Sequence, residues 1–342
     1  MFDDSLLDDE TALARVDVRL RHLAESGARV RREAGESADA VRRATAEISG
    51  TRPRAVIAAG PDSRLLRAVL EPWCPVPFVA WPGARLPGWV GSLDLVVVLA
   101  PVGSDPETAS GVAEAVRRGS QLVVACPERS LVADHAAGRD TILLPTVTGD
   151  QLATAVVVLE LLALLDLAPA CTPDVVADAL DAVSVACSPF RDLAVNPAKN
   201  LAGAIADTNP LLWGGTVLAA RAGRRVAESI RQATGRAALA ADMEHLLPVI
   251  EGASVPDVFA DPFADARDDS GDPDMRPSLV ILDDGSEDAA VRESRSRLAA
   301  AAERHGVRLE AVTSEADGEL ARYASLLATG QFTATYLDVG LG

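Results

Sequence analysis

The sequence predicts an α/β protein with two doubly wound parallel-sheet domains joined by a helical connector. Short apolar runs rich in β-branched residues alternate with amphipathic helical patterns at the spacing of βαβ units. The clearest run, residues 93–99, is apolar almost throughout, as expected for a strand buried on both faces of a sheet. The alternation restarts after residue 205, which predicts an internal duplication of architecture.

The first half of the chain predicts helices followed by one parallel sheet. Leu and Val recur at three- and four-residue spacings in residues 5–48, which predicts helix. Strands are expected at 54–59, 76–81, 93–99, 121–125 and 142–144, and helices at 63–70 and 106–118. Gly119 follows the second helix at a position where glycine commonly ends one.

The second half predicts further helices and a second sheet. Helical patterns dominate from about residue 150 to 202. Strands are then expected at 209–213, 278–282 and 307–312, and helices at 217–232, 287–304 and 318–329. Residues 256–277 are rich in Asp, Pro and Gly, so an acidic flexible loop is predicted there. The organisation is therefore a helical segment (1–48), a first α/β domain (49–150), a helical connector (151–205) and a second α/β domain (206–342).

Composition limits the classes of partner. The net charge is −18, with 50 acidic against 32 basic residues, which argues against nucleic acid and anionic membrane surfaces as partners. No apolar run reaches the about 18 residues of a membrane-spanning helix, and the N-terminus resembles no secretion signal. The four cysteines and four histidines lack metal-binding spacing. We expect a cytoplasmic protein without metal or cofactor.

Two predicted βα turns are the strongest candidates for a ligand site. Residues 58–63 (AAGPDS) and 100–105 (APVGSD) follow strands and precede helices, where backbone N–H groups face anionic ligands. The candidate ligand contacts in and beside them are Gly60, Ser63, Gly103, Ser104 and Thr108. Ser104 is alternatively a turn residue, and Thr108 a residue of the first helical turn.

Both turns carry an aspartate, Asp62 or Asp105, which opposes phosphate binding. A carboxylate about 4 Å from a phosphate dianion costs on the order of several kcal/mol at an effective dielectric near 20. Pro61 also removes one N–H donor from the first turn.

Five segments together resemble the sugar isomerase (SIS) domain family, most nearly its bifunctional phosphoglucose/phosphomannose isomerases. They are residues 86–90 (LPGWV), 95–108, 196–202, 211–215 (LLWGG) and 330–337 (GQFTATYL). The resemblance implies two SIS domains and a homodimer with a sugar-phosphate site near the subunit interface. It also implies aldose–ketose isomerisation by proton transfer.

The family's phosphate-binding residues are largely replaced here. Its first turn reads Gly-Gly-Ser, which falls on residues 60–62 (GPD). Its second turn reads Ser-Tyr-Ser-Gly-Asn-Thr, and its three hydroxyl donors fall on Ala100, Val102 and Asp105. An arginine that begins the family's connector helix falls on Gln151, which stays a candidate ligand contact.

The family's catalytic residues are also replaced. Its Asn-Glu-Asn, which carries the catalytic glutamate, falls on residues 230–232 (IRQ), and Arg231 cannot abstract a proton. Its ring-opening histidine falls near residues 245–247, so a small shift decides whether His245 matches. Its late lysine has no counterpart, because no lysine follows Lys199.

Three residues remain as candidate catalytic groups: Glu228, Glu244 and His245. Glu228 lies one helical turn before the family's base position, but it is alternatively a solvated charge beside neighbouring arginines. Glu244 and His245, with Asp242, form a carboxylate–imidazole cluster that alternatively flanks a helix.

Two functions follow from these residues. One is a degenerate isomerase homologue that binds a carbohydrate derivative or regulates a partner enzyme in sugar-phosphate metabolism. The other is an active phosphomannose or phosphoglucose isomerase with a rebuilt site, in which Glu228 or Glu244 is the base and His245 opens the ring. The replaced residues favour the first.

Overall fold

The computed structural model describes residues 2–48, 50, 52–61, 63–83, 85–253 and 275–342. Asp62 and residues 256–274 of the predicted acidic loop lie outside the described residues. The described helices are Glu10–Ala14 (α1), Asp17–Ala24 (α2), Ser26–Ile48 (α3), Ser63–Leu70 (α4), Pro106–Arg117 (α5), Leu131–His135 (α6), Gln151–Leu164 (α7), Pro173–Ala186 (α8), Pro197–Ile205 (α9), Val217–Thr234 (α10), Met243–Glu251 (α11), Ala289–Arg304 (α12) and Glu319–Leu341 (α13). The described strands are Val56–Ala59 (β1), Phe78–Trp81 (β2), Leu95–Leu99 (β3), Gln121–Cys126 (β4), Thr141–Pro145 (β5), Asn209–Gly214 (β6), Leu239–Ala240 (β7), Pro277–Asp283 (β8) and Arg308–Thr313 (β9).

The chain divides into two compact units. The first-sheet unit contains residues 25–181, and the second-sheet unit contains residues 1–24 together with 182–342. The N-terminal helical segment is thus shared between the units, and α8 crosses the division at residue 181.

The first-sheet unit contains a five-stranded parallel sheet in the order β2-β1-β3-β4-β5. Every residue of β3 is buried, because the strand lies between β1 and β4 and is apolar on both faces. The chain adds β2 on one side of β1 and then crosses back to add β3 on the other. The strand order therefore reverses between β1 and β3, and this reversal is the topological switch point of the sheet.

The second-sheet unit repeats this arrangement with four parallel strands in the order β7-β6-β8-β9. Its switch point lies between β6 and β8. Two doubly wound domains are therefore present, as the sequence predicts. β7 and α6 lie outside the predicted elements, because segments of two and five residues are too short to show a periodicity.

The last helix, α13, is longer than the sequence predicts. The apolar pattern predicts its end near Thr329, but the helix continues to Leu341. Gly330 lies inside it, against α10: a Cβ added there would lie 2.2 Å from Cγ2 of Val226. Close helix packing at this glycine outweighs its low helix propensity.

The only lysine of the chain, Lys199, is fully buried in the second-sheet unit. Its ammonium group donates to Asp8 Oδ1 at 2.6 Å and to the carbonyls of Pro189 and Arg191, both at 2.9 Å. All three ammonium hydrogens therefore have a protein acceptor, as a buried charge requires. The Lys199 hydrogen bond is also the main reason that the pKa of Asp8 lies below its ordinary value. Lys199 therefore has a structural role.

Candidate functional site

The switch point of the first sheet lies beside a small crevice. Gly60 and Pro61, which follow β1, line one side, and Glu107 and Thr108 of α5 line the other. The cavity volume is about 10 Å³, which is room for about one water molecule. A Cβ added to Gly60, whose φ is +90°, would lie only 3.6 Å from Thr108 Oγ1. The first turn of the predicted phosphate site is therefore in close contact with the first turn of α5.

Asp105 caps the N-terminus of α5 at this crevice. Its carboxylate accepts the backbone N–H of Thr108 at 2.8 Å and also the Thr108 hydroxyl. The pKa of Asp105 lies below its ordinary value, mainly because of the hydrogen bond from the Thr108 hydroxyl and next because of the one from the Thr108 backbone N–H. An internal anion thus uses the donors that a helix N-terminus offers to a bound phosphate.

The other candidate residues of the second turn have different environments. Gly103 has a φ of +71°, and a Cβ there would lie 2.5 Å from the Cβ of Ser130, so the turn requires glycine for packing. Ser104 is exposed.

Ser63 begins α4 and is buried. Its hydroxyl has no hydrogen-bond partner within the part of the chain that the structure describes.

Two acidic side chains make long-range hydrogen bonds around the turn that precedes Gln151, the first residue of α7. Glu33 of α3 is fully buried and accepts the backbone N–H groups of Val147 and Thr148, both at 3.0 Å. Asp150 caps α7 and accepts the Arg29 Nε at 2.8 Å. Arg29 therefore supplies an arginine beside the start of this helix. In the sequence, Arg29 and Glu33 are connected only by their four-residue spacing, which places them on one helix face, and this signal does not indicate a site.

The switch point of the second-sheet unit also holds a carboxylate. Thr216 caps α10 through the N–H of Ala219 at 3.1 Å, and its hydroxyl donates to Asp284. The carbonyl of Asp284 accepts Arg322 at 3.1 Å. In both units, therefore, a threonine at a helix N-terminus donates its hydroxyl to an aspartate.

The three candidate catalytic residues do not form one cluster. Glu228 is half-buried on α10 and pairs with Arg225. Glu244 and His245 are exposed in the first turn of α11, and Asp242 precedes them without a side-chain capping bond. Within the described residues no hydrogen bond or ion pair joins Glu228 to either of them.

Two features are absent from the described residues. None of them form a group of three or more His, Cys, Asp or Glu side chains suited to a metal ion. No described helix combines the length and apolar character needed to cross a bilayer.

Residues 194–342 match the family model of the bacterial phospho-glucose isomerase C-terminal SIS domain. No curated protein matches the chain. Among solved structures, tagatose-6-phosphate ketose/aldose isomerase from Escherichia coli superposes with a TM-score of 0.66 at 14% identity, covering 94% of this chain and 92% of that one.

Two other solved structures are similar over most of their length. The C-terminal domain of glucosamine-fructose-6-phosphate aminotransferase from Francisella tularensis has a TM-score of 0.63 at 11% identity, with 94% of this chain and 95% of that one covered. A glucose-6-phosphate isomerase like protein from Thermus thermophilus has a TM-score of 0.53 at 16% identity, with 91% and 92% covered. The chain therefore has the fold of these phosphosugar proteins, and its resemblance to the SIS family of bacterial phosphoglucose isomerases is confirmed.

Proposed function

We propose that this protein is a SIS-domain homologue of phosphoglucose/phosphomannose isomerase with a degenerate phosphate and catalytic site. It binds a carbohydrate derivative or regulates a partner enzyme in sugar-phosphate metabolism, and it acts in the cytoplasm as a homodimer. The observation that carries the proposal is the crevice of about 10 Å³ at the first switch point, where Asp105 already occupies the donors of Thr108.

Electrostatics supports the loss of phosphate binding. The crevice lining includes the carboxylate of Glu107 and no basic side chain among its described residues. A phosphate charge about 4 Å from a carboxylate is opposed by about 4 kcal/mol at an effective dielectric of 20. Solvent reduces this cost at an exposed residue, but no positive side chain in the described lining offsets it.

The arrangement of the titratable groups supports the loss of catalysis. Proton abstraction beside a carbonyl needs a base within hydrogen-bonding reach of the substrate. Glu228 is paired with Arg225, while Glu244 and His245 are on a different helix and exposed. Glu228 therefore has no common site with His245, and the alternative base Glu244 lies with His245 on an exposed helical turn.

The test measures turnover of sugar phosphates. Mannose 6-phosphate, glucose 6-phosphate and fructose 6-phosphate are supplied to the purified protein, and interconversion is followed by a coupled assay. We expect no turnover. Turnover that disappears in Glu228→Gln or His245→Ala would instead establish the rebuilt isomerase.

The oligomeric state is tested separately by light scattering. A mass of twice the chain mass is expected, and a monomer across the accessible concentration range would contradict the homodimer.

A further inference from the structure

A cleft of about 350 Å³ lies within the second-sheet unit, apart from both switch points. Three helices form it, and nine residues line it: Arg19, His22 and Leu23 of α2, Ser229, Gln232 and Ala233 of α10, and Gln331, Ala334 and Thr335 of α13. The volume is at the lower end of the range for small-molecule sites, which suits a single sugar ring with its substituents.

The lining of this cleft differs in its charged residues from the chain as a whole. The whole chain has 50 acidic residues, but none of the nine lining residues is acidic. Arg19 is always protonated and His22 also lines the cleft. Arg19 can therefore attract an anionic group here, whereas the described lining of the crevice at the first switch point contains no basic side chain.

Arg19 retains hydrogen-bonding capacity for a ligand. Its NH1 donates to Asp338 at 2.9 Å, and both side chains remain partly exposed. This pair uses one of the five N–H donors of the guanidinium group. Asp338 thus orients Arg19 and leaves donors for an anionic oxygen.

The remaining lining suits a polyhydroxylated molecule. The side-chain amides of Gln232 and Gln331 each offer a donor and an acceptor, and neither makes a side-chain hydrogen bond within the described residues. The hydroxyl of Thr335 donates to the carbonyl of Gln331 at 3.0 Å, so its oxygen can accept from a ligand hydroxyl. Leu23 and Ala334 are buried and give the cleft an apolar floor.

We propose that this cleft binds a monosaccharide that carries one anionic group, either a phosphate or a carboxylate. Arg19 faces the anionic group, and Gln232 and Gln331 bind the hydroxyls. The inference rests on the proposed function in one respect, that the ligand is a carbohydrate derivative. It assigns the ligand to a different part of the molecule from the degenerate crevice.

The test is calorimetric titration of the full chain with four probes: glucose 6-phosphate, gluconate, glucose and inorganic phosphate. At least one of the two anionic sugars is expected to bind more tightly than glucose and more tightly than inorganic phosphate. The preferred probe then identifies the anionic group as phosphate or carboxylate. Binding of inorganic phosphate as tight as that of both sugars would overturn the proposal, and so would no binding of any probe.

Variants locate the binding. Arg19→Gln and Gln232→Ala should each lower the affinity for the preferred probe about tenfold, because each removes a hydrogen bond to the ligand. Arg21→Gln is the matched control, since Arg21 is on the same helix, pairs with Asp17 and lies outside the cleft. Circular dichroism verifies that each variant is folded.

The failures of the two proposals are distinguishable. Binding that is unchanged in Arg19→Gln and Gln232→Ala overturns the cleft assignment and leaves the proposed function intact. Isomerase turnover overturns the proposed function, whether or not these variants weaken binding.

Discussion

The Asp105 carboxylate caps a helix and also repels an anion. The substitutions Asp105→Ser and Asp105→Ala separate these two effects. It accepts the Thr108 N–H at 2.8 Å at the start of α5. Serine caps a helix nearly as well as aspartate, whereas alanine caps poorly. Asp105→Ser should therefore change the free energy of unfolding by less than ~0.5 kcal/mol, and Asp105→Ala should lower it by ~1 kcal/mol. Urea denaturation measures both values.

Both substitutions remove the charge, so both should strengthen phosphate binding at the N-terminus of α5. Asp105 is exposed, so solvent screening reduces the repulsion from about 4 kcal/mol to ~1 kcal/mol. Removal of this repulsion of ~1 kcal/mol corresponds to about a fivefold gain in affinity for inorganic phosphate, which calorimetry can measure. Equal affinity in the wild type and both variants would refute the electrostatic reasoning. Equal stability of Asp105→Ala and the wild type would refute the capping reasoning.

The difference in unfolding free energy between the wild type and Asp105→Ala also depends on pH. Because hydrogen bonds from Thr108 lower the folded-state pKa of Asp105 below its ordinary value of 3.8, the charged carboxylate stabilises the folded state above that value. This contribution is lost as the pH falls through the lower folded-state pKa. The gap in unfolding free energy between the wild type and Asp105→Ala should therefore narrow below about pH 4. A constant gap down to about pH 2 would contradict the charged cap.

Three further predictions concern packing and reactivity. Lys199→Met leaves Asp8 and two carbonyls without their hydrogen-bond donor. It should lower the free energy of unfolding by at least ~2 kcal/mol in denaturant titrations. An unchanged denaturation midpoint would exclude the structural role of the lysine. Gly330→Ala places a Cβ against Val226 and should lower the free energy of unfolding by ~1–3 kcal/mol. Gly35→Ala, in open space inside α3, should raise it by up to ~1 kcal/mol. Equal effects would refute the close packing of α10 on α13. Burial raises the pKa of Cys187 to about 12, so mass spectrometry should find this thiol unmodified by iodoacetamide at about pH 8 in the folded protein, and rapid labelling would contradict its burial.

Local patterns predict the sheets and most of the helices. The β-branched run of β3 and the amphipathic spacing of α4 depend on neighbouring residues alone, and α4 has the predicted bounds. The end of α13 is different, because Gly330 packs closely on Val226 of α10, and α10 lies far earlier in the chain.

The candidate site is less predictable than the fold. The sequence places Asp105 in a turn where it opposes phosphate, but the capping bond to Thr108 depends on where α5 begins. The contact between Glu33 and the N–H groups of Val147 and Thr148 joins residues that are more than a hundred positions apart. The cleft of Arg19, Gln232 and Gln331 likewise combines three distant helices, and no spacing in the sequence indicates it.

Exchange of the C2 proton of mannose 6-phosphate shows whether the catalytic site is degenerate, because it detects proton abstraction even without net turnover. The protein is incubated with the sugar phosphate in D₂O, and loss of the C2 proton signal is followed by NMR. The degenerate site predicts exchange at the rate of the protein-free control. Exchange that is faster than the control and returns to it in Glu228→Gln or His245→Ala would contradict the account.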